Sequence, residues 1–188
     1  MKRFTKWAIL ATVALLIVVS TAGCTSNTGD QTPSAGGSIT PSATSMITYD
    51  SGNFTIQYPS NWANMTSKGS LSDIITIMSP GNGLATSALF TNPPSDTTLS
   101  SWTNAAVSTA KNNQNYTQIS AGNATLAGSP AYKNVYTQTY ANVTTKHTEI
   151  WTVIGGNVYT INYIEYPQYH GEYADTLQKM IDSFQIKQ

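Results

Sequence analysis

Four side chains in the C-terminal part of the chain have types and spacing that could hold a metal ion. His147 and Glu149 are two residues apart in a segment that alternates like a strand, so both point to the same face. His170 and Glu172 repeat this spacing where the last predicted strand gives way to the last predicted helix. Imidazole with carboxylate suits a divalent cation. The spacing is generic, so these four residues are weak candidate metal ligands, and we expect neither a resident metal nor a cofactor.

Motifs for covalent or phosphate chemistry are missing from the sequence. There is no Gly-x-Ser-x-Gly and no phosphate-binding glycine loop of the usual forms. The single cysteine, Cys24, precedes the predicted domain, which makes a Cys–His pair implausible. We therefore expect no catalytic residues and no enzyme activity. A hydrolytic enzyme ranks third among the functional hypotheses.

The N-terminus has the order of a secretory signal. Basic residues between Met1 and Lys6 are followed by an apolar run, and the small residues Thr21-Ala22-Gly23 then lead to Cys24. The apolar stretch is too short for a comfortable membrane span, which takes roughly 20 residues. We predict a signal peptide over residues 1–23 that ends at a lipobox-like site, with Cys24 as the lipidated residue. Thr21 departs from the usual aliphatic residue, which leaves plain secretion and an uncleaved anchor as alternatives.

Composition separates a tether from a domain. Residues 24–45 are mostly Ser, Thr, Gly, Pro and Ala, which predicts a flexible tether, and residues 46–188 have the length of one domain. Without Lys2, Arg3 and Lys6 the chain has six basic and nine acidic residues (9 − 3 = 6), a net charge near −3. This balance argues against nucleic acid as a partner. We expect a monomeric domain on the outer face of the cell membrane.

Five Asn-x-Ser/Thr sequons make the chain a candidate glycoprotein, provided that the source organism has the machinery. The acceptor residues are Asn53, Asn64, Asn115, Asn123 and Asn142.

In the domain, apolar and polar residues alternate as in a series of strands, and two segments have the spacing of helices. We predict strands from Met46 to Tyr58, a hairpin of residues 74–78 and 84–90, and a helix from Thr98 to Lys111. A hairpin follows in which Tyr116–Leu126 and Ala131–Tyr140 flank a four-residue turn. Apolar residues at helical spacing from Tyr173 to Phe184 predict a C-terminal amphipathic helix.

The last predicted hairpin, residues 145–154 and 158–166, has two registers open to it. A two-residue turn at Gly155-Gly156 places Ile150 opposite Ile161 and Lys146 opposite Glu165, whereas a four-residue loop shifts the pairing by two residues and keeps the same faces. Both faces of this hairpin then carry large apolar groups. We therefore expect an α+β fold with an antiparallel sheet covered by helices on both faces, an α/β/α three-layer sandwich.

Three short motifs in the domain resemble the PsbP-like family. Phe54-x-Ile56-x-Tyr58-Pro59-x-x-Trp62 looks like its opening strand, the segment from Leu126 to Tyr132 is similar to its mid-domain turn, and Met180 to Phe184 resembles its terminal helix. The resemblance runs from about Met46 to the end. It implies an antiparallel sheet flanked by helices, in a prokaryotic surface lipoprotein for which an archaeal source is one option. The resemblance does not by itself imply a photosynthetic role, because fold and function separate readily.

These observations lead to one functional hypothesis and two rivals. We expect a membrane-anchored, non-enzymatic accessory or binding domain that supports a membrane protein complex and is held by lipid on Cys24. A carrier of a small ligand or a divalent metal is the alternative, and the hydrolytic enzyme comes after it.

Overall fold

The computed structural model describes residues 45–82, 84–113 and 115–187. The predicted signal peptide, Cys24 and nearly all of the predicted tether lie outside these residues. Within the described ranges, neither helix is long and apolar enough to cross a bilayer. Two short 3₁₀ turns, Pro80–Asn82 and Pro167–Tyr169, accompany the longer elements. The strands are β1 Met46–Asp50, β2 Phe54–Pro59, β3 Ala63–Lys68, β4 Ser72–Met78, β5 Leu84–Thr91, β6 Tyr116–Leu126, β7 Ser129–Tyr140, β8 Val143–Ile154, β9 Asn157–Glu165 and β10 Gln185–Ile186, and the helices are α1 Leu99–Asn112 and α2 Ala174–Asp182.

The strands form two antiparallel sheets. The large sheet has seven strands in the order β3-β4-β5-β9-β8-β7-β6, and the small one has the order β1-β2-β10. The resemblance implied a single antiparallel sheet, so the small sheet is an addition that the sequence did not indicate. The prediction of a mostly antiparallel α+β fold with two helices is confirmed.

Of the two registers left open for the last hairpin, the structure has the one that a two-residue turn sets. Lys146 pairs with Glu165 and Ile150 with Ile161 across β8 and β9. The turn uses Gly155 and Gly156, whose φ angles of 58° and 80° lie in the left-handed region that glycine adopts at little cost. Because side chains alternate along a strand, this register fixes which residues of β8 share a face.

One face of the large sheet packs against the small sheet and α2. Ile150 and Ile161 from the large sheet meet Phe54 of β2 and Met180 of α2 in one buried cluster. Phe184, just after α2, places its ring 5.3 Å from that of Phe54. Phe54, Tyr58 and Trp62 are all buried, since each exposes 7% of its surface or less.

Helix α1 begins where the sequence predicted. Thr98 is its N-cap: the Thr98 hydroxyl accepts from the Ser101 amide at 3.1 Å, and the Ser101 hydroxyl accepts from the Thr98 amide at 2.9 Å. This reciprocal pair satisfies two of the amides that a helix start leaves free. The helix lies against β6 and β7. Its Thr103 hydroxyl accepts a hydrogen bond of 2.9 Å from the buried Trp151 indole of β8.

Some boundaries differ from the prediction, and the strands β3 and β10 were not predicted. The hairpin turn before β7 is the pair Ala127-Gly128, and Ser129 and Pro130 already pair with β6. Helix α2 ends at Asp182, after which Gln185 and Ile186 pair with β2 as β10. The strand β3 was missed because its six residues, Ala63–Lys68, are all exposed and give no apolar alternation.

Candidate functional site

The two candidate ligands His147 and Glu149 lie on β8 together with polar and aromatic side chains of its neighbours. The register places His147 opposite Tyr136, and Glu149 between Asn134 of β7 and Asn162 of β9. All five therefore share one face of the large sheet. With Tyr116 of β6, whose ring centroid lies 4.9 Å from that of Tyr136, these six residues form a continuous group that we call the polar strip.

Tyr136 is the centre of the polar strip. Its ring stacks on His147 with centroids 4.8 Å apart and planes only 10° from parallel. Its hydroxyl donates a 3.2 Å hydrogen bond to Oε1 of Glu149. Burial, followed by the nearby Glu149 charge, raises the pKa of Tyr136 above its ordinary value. Tyr136 therefore stays a protonated donor at any physiological pH.

His147 is held as a neutral ring. Its Nε2 lies 2.9 Å from the Thr145 hydroxyl. Burial lowers the pKa of His147 from 6.5 to about 4, because the charged imidazolium loses solvation at this position. At neutral pH His147 is thus an uncharged hydrogen-bonding and stacking group.

The pKa of Glu149 is shifted in the opposite direction to that of His147. Burial raises the pKa of the Glu149 carboxyl, and the hydrogen bond from Tyr136 only partly opposes that effect. The carboxyl sits between two side-chain amides whose bonding capacity is not used up. Nδ2 of the fully buried Asn134 and Oδ1 of Asn162 have no hydrogen-bond partner in the described part of the protein. The strip is therefore costly to bury and leaves two buried polar atoms unpartnered.

The other candidate pair lies in the connection between β9 and α2. His170 and Glu172 are both exposed there. Among residues 45–82, 84–113 and 115–187, no group of three or more His, Cys, Asp or Glu side chains could hold a metal ion. Polar atoms of His147 and Glu149 already engage Thr145 and Tyr136, so a metal bound there would displace those partners.

An ion pair ties the same connection to β8. Lys146 Nζ lies 3.0 Å from Oε2 of Glu165, whose side chain is 5% exposed. Oε1 of Glu165 accepts from the Gly171 amide at 3.4 Å. Glu165 therefore helps to position the loop that carries His170, but on the face of the sheet opposite to His147.

Sequence reasoning missed four members of the polar strip: Tyr116, Asn134, Tyr136 and Asn162. The feature that sets their positions is the turn between β7 and β8, where Ala141 and Asn142 adopt positive φ angles of 48° and 65°. A two-residue turn at these positions puts Tyr136 opposite His147. The sequence did not predict this pairing, because neither Ala141-Asn142 nor the residues beside it include the glycine that is usual in such turns.

The five sequon asparagines differ in accessibility. Asn64, Asn123 and Asn142 are exposed, on β3, on β6 and in the β7–β8 turn. Asn53 is half-buried, and its Nδ2 donates a 2.6 Å hydrogen bond to Oδ2 of Asp73. Asn115 is exposed, with its Nδ2 donating to the Thr139 carbonyl at 3.3 Å.

The fold defines an α+β protein that is built on a large antiparallel sheet. The chain belongs to the PsbP-like family: the family model described as PsbP-like protein matches residues 8–186. The resemblance given by the sequence motifs is thereby confirmed. No curated protein matches the chain.

Two solved structures of bacterial proteins share this fold. The cyanobacterial PsbP (CyanoP) of Synechocystis sp. PCC 6803 is 16% identical with a TM-score of 0.57, over 82% of this chain and 98% of that chain. LpqN of Mycobacterium tuberculosis, described as involved in cell envelope biogenesis, is 12% identical with a TM-score of 0.53, over 78% of this chain and 93% of that chain. At these identities the likeness establishes the fold alone.

Proposed function

We propose that this chain is a non-enzymatic binding module that supports a membrane protein complex and is held on the outer face of the cell membrane by lipid on Cys24. The observation that carries the binding role is the edge strand β3. All six of its residues, Ala63–Lys68, are exposed, and it pairs with β4 on one side only. An edge of this kind can accept an extended segment of another protein as an additional strand.

The β3 edge has few of the features that block such pairing. It contains no proline, and its single charged residue, Lys68, donates a 2.6 Å hydrogen bond to the Ser51 carbonyl. Met65, in the middle of the strand, exposes 51% of its surface. The opposite edge, β6, carries a register shift between Gln118 and Ser120, and such bulges disfavour edge pairing. We therefore assign the docking site for an extended segment to β3.

The support for the location is in the sequence. A basic segment, an apolar segment and a group of small residues follow one another and end at Cys24. The next twenty residues have the composition of a tether. If Cys24 is not acylated, the same signal makes a secreted protein, and the binding role of β3 remains.

The test is co-purification of the tagged full chain from native membranes after mild cross-linking. Met65→Lys puts a charge on the docking edge, and Ile119→Lys puts one on the β6 edge at a side chain of similar exposure, 55%. The proposal predicts a partner that is recovered with wild type and Ile119→Lys and is lost with Met65→Lys. Equal recovery with both variants would place the contact elsewhere, and repeated failure to recover any partner would contradict a role in a complex.

A small-ligand carrier is the second candidate function, and one feature favours it. A shallow cleft of about 400 Å³ lies between α1, from Thr103 to Asn112, and Tyr132 of β7. That volume is within the range of small-molecule sites. A carrier that uses this cleft should show a thermal shift with small apolar ligands that is reduced in Tyr132→Ser. A shift that is unchanged in this variant would remove the cleft from consideration.

We also propose that the two helices cover opposite faces of the large sheet, which is the three-layer arrangement expected from the sequence. The support is the pair of adjacent residues Ile150 and Trp151, whose side chains point to opposite faces of β8. Ile150 belongs to the cluster that contains α2, and Trp151 bonds to Thr103 of α1.

A further inference from the structure

The hairpin of β7 and β8 ends in an exposed apolar pair. Tyr140 and Val143 are directly opposite each other and expose 83% and 45% of their surface. Ala141 and Asn142 close the turn between them with positive φ angles. We call these four residues, 140–143, the hairpin tip. None of them is charged, so the tip itself presents an aromatic and an aliphatic side chain.

The hairpin tip extends beyond the strands on both sides. On the β9 side, pairing stops where Glu165 meets Lys146, so residues 143–145 of β8 have no β9 partner. On the β6 side, pairing stops where Tyr116 meets Gln138. Three residues of strand correspond to roughly 10 Å. The tip therefore extends about 10 Å past the last β9 pair and about 7 Å, or two residues, past the last β6 pair, where Asn115 Nδ2 still donates to the Thr139 carbonyl.

The chain enters the domain at the same end of the large sheet. The Ser45 carbonyl accepts a 2.8 Å hydrogen bond from the Ser60 amide, three residues before β3 starts at Ala63. Successive pairs across neighbouring strands connect Ala63 to His147 in one row that is perpendicular to the strands. The residues between them in this row are Met78, Ala85 and Ile164. Strands are about 4.8 Å apart, so four steps separate the entry from β8 by roughly 19 Å across the sheet. The tip projects past this row by four residues of β8.

The predicted tether is short enough to keep this end of the domain near the bilayer. About twenty residues separate Cys24 from Ser45. A flexible chain of that length has an end-to-end distance of roughly 25 Å. Because neighbouring strands twist by about 20–25° per step, the hairpin is not parallel to β3, and a flexible tether lets the domain turn its tip toward the surface.

We infer that the hairpin tip rests in the interface of the bilayer that holds the lipid anchor. This inference rests on the anchoring part of the proposed function. A tyrosine ring with its polar hydroxyl suits the headgroup region, and valine suits the adjoining acyl boundary. The described domain has six lysines against five aspartates and three glutamates, a net charge of −2 (6 − 8), so the contact does not depend on anionic lipid. The occupant is a neutral, zwitterionic lipid surface.

The experiment places a fluorophore at each end of the large sheet. Tyr140→Cys labels the hairpin tip, and Leu71→Cys labels the β3–β4 turn at the opposite end, where the side chain is 64% exposed. Cys24 is the only native cysteine, so an acylated chain has no other free thiol. Each labelled full chain is reconstituted through its anchor into phosphatidylcholine vesicles that contain a headgroup quencher. The inference predicts quenching at position 140 about threefold or more above that at position 71.

Three outcomes have distinct meanings. Equal quenching at the two positions overturns the inference and leaves the anchor intact. Shielding of position 140 in native membranes but not in vesicles also overturns it, because the tip then contacts a protein. Intact mass without acyl groups contradicts the anchoring itself. Because the substituted side chains are exposed, unchanged melting temperatures are expected and confirm that both variants are folded.

Discussion

His147→Phe should remove a pH-dependent part of the stability of the domain. The ring of His147 is stacked on Tyr136, and burial lowers its pKa from 6.5 to about 4. A depressed histidine pKa means that the unfolded chain binds a proton before the folded one does. The contribution is therefore fully present above pH 6.5 and is lost as the pH falls from 6.5 toward 4. Phenylalanine keeps the stacking but cannot take up a proton.

The size of the effect follows from the two pKa values. With 6.5 in the unfolded chain and about 4 in the folded one, linkage gives a loss of about 2 kcal/mol between pH 7 and pH 5. At pH 4 the loss reaches about 3 kcal/mol. Glu149 acts in the opposite direction: its raised pKa contributes stability at low pH that is lost as the pH rises through its folded value. The difference between wild type and variant isolates the histidine contribution.

Urea unfolding at pH 7, 6, 5 and 4 measures this difference. We expect the free energy of unfolding of wild type to fall relative to that of His147→Phe by about 2 kcal/mol at pH 5. His170→Phe is the matched control, since it removes the only other histidine, which is exposed. Parallel pH profiles for wild type and His147→Phe would refute the description of His147 as a buried neutral ring.

Three further predictions concern the core, the ion pair and the sequons. Phe184→Ala should lower the free energy of unfolding by about 4 kcal/mol, because the ring is 2% exposed and packs on Phe54; Phe184→Leu should cost less than half of that in the same denaturant titration, and equal costs would contradict the packing. Lys146→Met should lower the free energy of unfolding by about 3 kcal/mol because it leaves the buried Glu165 carboxylate unpaired, and adding Glu165→Leu in the same chain should restore most of that stability. Additive losses in that double-mutant cycle would show that the two side chains are not coupled. In a glycosylating host, glycopeptide mass spectrometry should find occupancy at Asn64, Asn123 and Asn142 and none at Asn53, whose amide nitrogen is bonded to Asp73, and a glycan on Asn53 would count against that bond.

The sequence predicts the large sheet best where short-range signals agree. In the last hairpin, Gly155-Gly156 marks the turn and the alternation of the flanking residues fixes the faces, so that only the length of the turn, and with it a two-residue shift of the pairing, was left open. Helix α1 is similarly marked by Thr98 and by apolar residues at helical spacing. These elements are determined by residues close together in the chain.

The elements that escaped prediction depend on contacts between distant residues. Gln185 and Ile186 form a strand only because β2 lies beside them, more than 120 residues earlier in the chain. The exposed β3 has no apolar pattern and is defined by its pairing with β4. For the polar strip, the sequence identified His147 and Glu149 as sharing a face. It could not show that Tyr136 engages both, because that contact needs the β7–β8 register.

We propose that this PsbP-like domain works while it is attached to a membrane by lipid on Cys24. Intact mass and membrane fractionation of the native chain, compared with Cys24→Ser, decide whether it does. We expect the wild-type chain to begin at Cys24, to carry added acyl mass and to sediment with membranes, and the variant to lose both the added mass and the membrane association. Identical masses relative to sequence and identical fractionation of the two proteins would rule out the lipid anchor.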